Sequence, residues 1–422
     1  MNIIFPVSEI PVTREYDVLV VGAGMSGIAA AVNAARQGLN VGMIESCGRP
    51  GGVPVSGLLG VISGCQMERE YVVGGFMREL LERAARHHGV IECWGGGTFE
   101  PEKLSMTLLE LLTETRIEVR FYTPLIAART EERCLQYAVT ASKSGLEAIA
   151  ARLFVDDTGD GDLAVMAGCP FEMGRPGDGK VQSSSLTFKI GGLERHRIPP
   201  VAEITAVWQR HPHRVPTDHA VVTALPDGDV VVNMTHILNC NCTRTADLTR
   251  IRVEGTRQAF EITDFFRTHL AGFEHAYVAG TAEQIGIRET RRILGDYVLT
   301  EDDVVSGRDF PDQIARGAWG IDVHNPDGIH TGIEKDILRS YGVPYRCITP
   351  RGMDNLYVAG RPISSTHRAN SSSRINGTCI ALGEAIGLAA EDAVTRSTRD
   401  VDVARLQERL IRQGAVVNRT FK

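Results

Sequence analysis

The chain has 422 residues, 43% of them hydrophobic and 23% charged, with a net charge of −7 at neutral pH. The length exceeds what one hydrophobic core usually holds, so about two domains are expected, and the composition excludes wholesale disorder. The acidic balance excludes a strong overall positive field for nucleic acid, although most of the cations are Arg, which suits planar contacts with phosphates and carboxylates.

The residues before Asp17 show no basic patch followed by a long apolar run, so no secretory leader is read there. The longest apolar stretch, Val18 to Val32, is interrupted by Gly and is shorter than the roughly 18 to 20 residues that span a bilayer. Nine scattered cysteines without a CxxC point to reduced thiols, not to a zinc ribbon or an iron–sulfur site. A cytoplasmic protein with no membrane span, no nucleic-acid partner and no metal site is expected.

Asp17 to Val21 reads DVLVV, a run suited to a strand buried on both faces. The GxGxxG pattern Gly22-Ala23-Gly24-Met25-Ser26-Gly27 follows. An Ala-rich helix is expected over Ile28 to Gln37, with Gly38 as its C-cap, and then a second strand, Leu39 to Ile44, ending at Glu45. In this setting Gly22 permits a tight turn, Gly24 lets the backbone approach a pyrophosphate, and Gly27 lets the helix pack on the sheet. The helix N-terminus offers free N–H groups to the phosphates, and Glu45 can accept from a ribose diol, which disfavours NADP. Gly22, Ala23, Gly24, Ser26, Gly27 and Glu45 are thus the first cofactor-binding candidates.

A Gly/Pro-rich loop, Ser46 to Gly57, comes next. Much later an apolar strand, Leu153 to Val155, runs into Asp157-Thr158-Gly159. No second dinucleotide fingerprint follows, so the substrate, not bound NAD(P)H, is expected to supply electrons. Residues 170–330 suggest an inserted domain. It has a strand over Ser183 to Ile190, a hairpin over Thr223 to Met234 turning at Pro226-Asp227-Gly228, and a helix over Asp247 to Leu270. A strand, Leu356 to Ala359, ends at Gly360-Arg361. A helix begins near Gly377-Thr378 and carries Gly383 and Gly387, whose spacing permits close packing. Residues 396–422 read as a helix and a polar tail.

These segments carry a resemblance. The Ser46 to Gly57 loop resembles the second flavin loop of the glutathione-reductase-like FAD superfamily, and Asp157-Thr158-Gly159 resembles its Ala-Thr-Gly strand end, with Asp157 in place of Ala. GIRETRRILGDYVLTEDDV (Gly286 to Val304), RGAWGIDVHNPDG (Arg316 to Gly328) and VPYRCITPRGMDNLYVAGR (Val343 to Arg361) are similar to three patterns of the family called FAD-dependent oxidoreductase. The likeness spans residues 14–395. It implies an α/β fold: a glutathione-reductase-like, FAD-binding Rossmann domain with an inserted α+β substrate domain. The implied division is 14–168 for the first part of the FAD domain, 169–330 for the substrate or cap domain, 331–395 for the return segment, and 396–422 for the C-terminal helix and tail. It implies FAD, with Ser46, Gly51, Gly52, Val53, Leu125, Thr158, Gly159, Gly360, Arg361, Gly377, Thr378 and Cys379 beside it; no residue match demands a covalent link, so non-covalent binding is expected. Arg361, where many relatives carry Asp, can pair with pyrophosphate oxygens. The helix beginning near Gly377 is implied to aim its N-terminus at the flavin O2 region.

His367 and Arg374 lie between the return strand and that helix, where a substrate would meet the flavin. His367 can move a proton while hydride passes to flavin N5, and Arg374 can hold a carboxylate or oxyanion; bracing the loop is the plainer alternative for both. His324, in Asp322-Val323-His324, is the third catalytic candidate, with a structural hydrogen bond as its rival role; Tyr345 and Arg346 can also line the pocket. Arg288, Glu289, Arg291 and Arg292 read as an ion-pair network. Cys379 opens a helix, which lowers a thiol pKa, but packing against the flavin is the plainer account. The expected function is FAD-dependent oxidation of a small-molecule substrate, with electrons passed to oxygen or another acceptor. Ene-reduction, monooxygenation and a non-catalytic flavin scaffold are the rivals. The oligomeric state stays open, with a homo-oligomer compatible.

Overall fold

The computed structural model describes residues 9–67, 70–93, 95–328 and 333–419. The first strand, Val12–Val21, runs in parallel between Val41–Ile44 on one side and Gly145–Asp156 on the other. Glu118–Arg120 extends the sheet beyond Val41–Ile44. On the far side an antiparallel hairpin, Leu125–Glu131 and Cys134–Ser142, joins Gly145–Asp156, and the return strand Leu356–Val358 pairs in parallel with its end. Among the described residues this sheet has seven strands. The first strand begins five residues before the apolar run because residues from Val12 to Tyr16 already pair with 148–151. That part is half exposed and polar, so hydrophobicity does not mark it.

The fingerprint helix, Met25–Arg36, follows the first strand and is buried continuously from Met25 to Ala34. Its main partner is the C-terminal helix Asn376–Ala393, which is buried on nearly every side. A Cβ on Gly383 would stand 2.1 Å from the Ser26 carbonyl oxygen, and one on Gly387 would stand 2.4 Å from that of Ala30. The spacing of four residues therefore serves a contact between two helix backbones, one turn apart.

The main apolar core joins these helices to Phe76–Arg86, Pro101–Glu114 and the strand pair Gln313–Gly317 and Tyr341–Pro344. A second cluster lies on the opposite face of the large sheet. A third belongs to a separate four-stranded sheet, ordered Val222–Ala224, Val230–Val232, Phe188–Gly191, Tyr277–Thr281, covered by the helices Val201–Arg210 and Thr245–His269. Of the stretch 169–330, residues from Phe188 to Ala276 thus build their own core, while those from Leu299 to Val323 pack into the main one. The expected boundary at 330 lies outside the described residues.

Two local expectations change. The strand over Ser183 to Ile190 is a ladder only at Phe188–Gly191; Ser184 and Ser185 make single bridges to Ile237 and Gly286, with the Ser183 and Ser184 hydroxyls bonded to His236 and Cys242. The tail is not polar throughout and packs on the core at Val417. After the helix Val403–Arg412, Val417 is buried in the main core and its carbonyl accepts from Gln313 Nε2 at 2.8 Å.

Gly383→Val should destabilise the fold by about 1–3 kcal/mol or more, because neither backbone can retreat without opening the core. Gly280→Val, where an added Cβ meets nothing within 4 Å, should change stability by less than about 0.5 kcal/mol. Chemical denaturation of both variants checks this, and equal losses would refute the packing role.

Candidate active site

The fingerprint loop forms a cradle. Gly22 has φ +102°, a conformation that favours glycine, and a Cβ there would meet the Asp157 carbonyl oxygen at 2.3 Å. Gly24 is the N-cap of the fingerprint helix and makes no cap hydrogen bond of its own, while the Asp157 carboxyl lies against the helix's first turn. Gly51 donates to the Ala23 carbonyl at 2.7 Å, which lays the Ser46 to Gly57 loop against the fingerprint. Gly52 also approaches Gly24 closely, and Val53 continues this loop. Glu45 is buried at the mouth of the cradle. Its carboxylate accepts from the Ala23 and Cys47 amides, each at 2.7 Å, and from Ser46 Oγ at 3.0 Å. A carboxylate has about four lone-pair directions, so capacity for one hydroxyl of a diol remains. A helix N-terminus, a glycine cradle and a buried acid at its mouth together fit a dinucleotide.

Asp157 was not singled out as functional in sequence, yet it lies under the cradle. A Cβ on Gly24 or Gly27 would come within 2.6 Å or 2.5 Å of its Oδ2. Ser26 Oγ donates to its Oδ1, while Oδ2 has no hydrogen-bond partner among the described residues. Burial pushes the Asp157 carboxyl up to about 7, against the Ser26 hydrogen bond and with help from Asp156. The only sequence signal was the replacement of Ala at the strand end.

The other cofactor-side candidates surround this cradle unevenly. Thr158 Oγ1 donates to Asp156 and accepts from the Asp162 amide, so it fixes the turn through Gly159. Arg361 pairs with Asp160 and donates to Thr290 Oγ1 at 3.1 Å. A Cβ on Gly360 would lie 2.7 Å from Ser26 Oγ. Gly377 donates to the Ser63 carbonyl at 3.1 Å, so residues 63–65 cover the start of the C-terminal helix. Thr378 Oγ1 is buried without a partner among the described residues. Cys379 is buried and pushed up to about 12; desolvation outweighs any help from the helix terminus, and a reactive thiolate is not favoured. Leu125 starts an outer strand of the sheet, two residues after Thr123 donates to the Glu45 carbonyl.

A second cluster brings the buried Gln182, Ser183, His236 and Arg288 together with the mostly buried Asp322, His324 and Arg374. Gln284, four residues before Arg288, ties this region to the Ser46 to Gly57 loop through its amide, bonded to the Ser56 carbonyl at 2.9 Å, and its Nε2, bonded to Cys47 Sγ at 3.3 Å. Arg288 Nη1 donates to the Ser183 carbonyl at 2.9 Å. Arg374 Nη2 donates to the Asp322 carbonyl at 3.1 Å and lies 3.7 Å from its carboxylate. His324 Nε2 is 3.6 Å from Asp322 Oδ1, and the His324 and His236 rings are 6.4 Å apart. Burial, reinforced by Arg288, lowers His324 to about 3; burial and Arg288 likewise lower His236 to about 4. Burial opposes the Asp322 charge, yet His324, Arg374 and Arg288 hold its carboxyl below the ordinary range. Burial and Arg374 lower Arg288 to about 9, still above neutrality.

Of the three catalytic candidates, the structure brings His324 and Arg374 together here. His367 stands apart: its Nδ1 contacts Glu289 at 2.8 Å, and Glu289 also pairs with Arg292. Arg291 pairs with Asp162 at 2.7 Å, so the charged run from Arg288 to Arg292 is an ion-pair network except for Arg288. Tyr345 and Arg346 do not line the cluster. Tyr345 bonds Tyr357 and the Thr398 carbonyl in the core, and Arg346 pairs with Asp312 at 2.8 Å. Among the described residues no group of three or more His, Cys, Asp or Glu is placed to hold a metal, and no helix is long and apolar enough to cross a membrane.

A model of the family described as FAD dependent oxidoreductase matches residues 17–410, and the chain belongs to that family. No curated protein matches it. Among solved structures, a geranylgeranyl bacteriochlorophyll reductase-like protein from Thermoplasma acidophilum is similar at 15% identity and TM-score 0.49, over 96% of this chain and 84% of that one. A p-nitrophenol 4-monooxygenase from Pseudomonas putida is similar at 12% and 0.47, over 91% and 79%. A myxobacterial chondrochloren halogenase is similar at 12% and 0.48, over 95% and 79%. Likenesses of this size decide nothing about the reaction.

Glu45→Ala should weaken FAD binding by about 1–3 kcal/mol through lost charge-assisted hydrogen bonds, as read by calorimetric titration of the apoprotein. Asp157 has a raised pKa in the folded chain. Its contribution to stability is therefore full below the ordinary aspartate range and is lost as pH rises through about 7. Between pH 4 and pH 8 the urea midpoint of the native apoprotein should fall relative to Asp157→Asn; parallel midpoints would refute the shift.

Proposed function

We propose that this FAD-dependent oxidoreductase oxidises a small molecule by hydride transfer, with the substrate seated in the cluster around His324 and Arg374. The observation that supports this most directly is a set of buried polar atoms without partners among the described residues: Arg374 Nε, His324 Nδ1, His236 Nε2 and Gln182 Nε2. Most interior polar atoms of folded proteins are paired, so four unpaired in one cluster point to a molecule that completes them. FAD, when bound, would supply a two-electron acceptor for the hydride, with oxygen or another acceptor to reoxidise it.

His324 takes the proton that the substrate releases. Asp322 faces Nε2, which favours the tautomer with hydrogen there and leaves the Nδ1 lone pair free. Arg374 orients the substrate and offsets negative charge developing on it. His367, engaged by Glu289, positions the segment that carries Arg374 and does not itself move the proton.

The test is anaerobic mixing of the flavin-loaded protein with candidate donors while the visible flavin band is followed. Bleaching by a donor supports oxidation. Rapid reoxidation of photoreduced enzyme by an enone alone, or a C4a-peroxyflavin band with oxygen, would replace the reading with ene-reduction or monooxygenation. With the donor found, His324→Gln should lower kcat by about a hundred- to ten-thousand-fold. Because the free His324 titrates near 3, its limb in kcat/KM should be absent between pH 5 and pH 8 and appear only in more acid solution. A limb near pH 6.5 that vanishes in His324→Gln would contradict the assigned environment.

A further inference from the structure

We propose that the substrate of this site is a carboxylate, gripped by Arg288 and Arg374 together; this rests on the function proposed above. The buried charges around the cluster form two closed sets and one open set. Glu289 is engaged by Arg292, by His367 and by the Gln182 amide at 3.1 Å. Arg361 is engaged by Asp160. Arg288 and Arg374, by contrast, have Asp322 as their main counter-charge, since Glu289 is already engaged by Arg292 and His367. Arg374 meets that carboxylate only at 3.7 Å, and no carboxylate among the described residues lies within ion-pair distance of Arg288. Arg288 is 8% exposed, so its charge has little water to compensate it.

Burying a guanidinium without a counter-charge is costly, and the cost is relieved when an anion enters. Two cations against one carboxylate leave one positive charge, which matches a monoanion better than a phosphate dianion. The planar guanidinium fork also suits a carboxylate, which can take two parallel N–H bonds. Arg374 Nε, buried and unbonded, is free to give one of them. Gln182 Nε2 offers a neutral donor in the same cluster. With the carboxylate held there, the neighbouring His324 Nδ1 is left for the group that loses its proton.

The experiment uses the flavin-loaded protein and three unreactive probes, acetate, succinate and benzoate, each against its amide. Binding is read by flavin difference spectra and by calorimetry. At least one carboxylate should bind with a perturbed flavin band while its amide does not. Arg288→Met and Arg374→Met should each weaken that binding by about tenfold or more, and Arg288→Lys should restore part of it. Retained flavin content and an unchanged melting profile show that a variant is folded; if neither Met variant folds, the acid-against-amide comparison in the native chain decides. Amides that bind as tightly, no binding by any acid, or folded variants that shift only the flavin potential would overturn the proposal, the last by assigning the pair to the reduced cofactor. A chain that takes up no FAD would instead overturn the function beneath it.

Discussion

The contact between the fingerprint helix and the helix Asn376–Ala393 is the constraint on which the rest of the site depends. At Gly383 and Gly387 there is no room for a methyl group, and the two backbones meet directly. Segments more than 300 residues apart in the chain are thereby held in one register. The return strand can then close beside Gly145–Asp156, and Gly360 can sit against Ser26. Asp157, at the end of the strand between them, is sealed beneath the cradle. Packing at this density makes the site's geometry a property of the core, not of its loops.

Sealing has an electrostatic consequence. Glu45, Asp157, Arg288, Glu289, Arg292 and His367 are buried, so what each does depends on its partners. Glu289, Arg292 and His367 satisfy one another and hold the chain in place. Arg288, Arg374, Asp322 and His324 do not balance, and several of their neighbours' polar atoms have no partner. The same residue types thus form a brace in one place and a receptive site in another. Water exclusion strengthens both, because charges interact more strongly where the dielectric is low.

Cys379 and Arg288 show how far local pattern reaches. A thiol at a helix start suggests an acidic nucleophile, but burial raises its pKa and outweighs the terminus. Arg288, Arg291 and Arg292 look alike in the sequence. Their strand and turn send Arg291 to Asp162, Arg292 to Glu289 and Arg288 to the Ser183 carbonyl, and only the last is left without a carboxylate at ion-pair distance. Asp157 was visible only as a departure from a strand-end pattern, with nothing local to say that it lies under Gly24 and Gly27.

By itself the sequence determined the dinucleotide unit, from Asp17 through the glycine turn and Ala-rich helix to Glu45. Those signals are local: a β-branched run, a glycine spacing, a helical period and an acid at a strand end. Its hairpin and long helix also pointed to a stretch with a core of its own, which the structure has over residues 188–276. The tertiary structure alone decided which charged residues face one another. Ser183, His236, Arg288, Asp322 and Arg374 come from distant segments, and burial and pairing arise only when folding brings such segments together and removes the water between them.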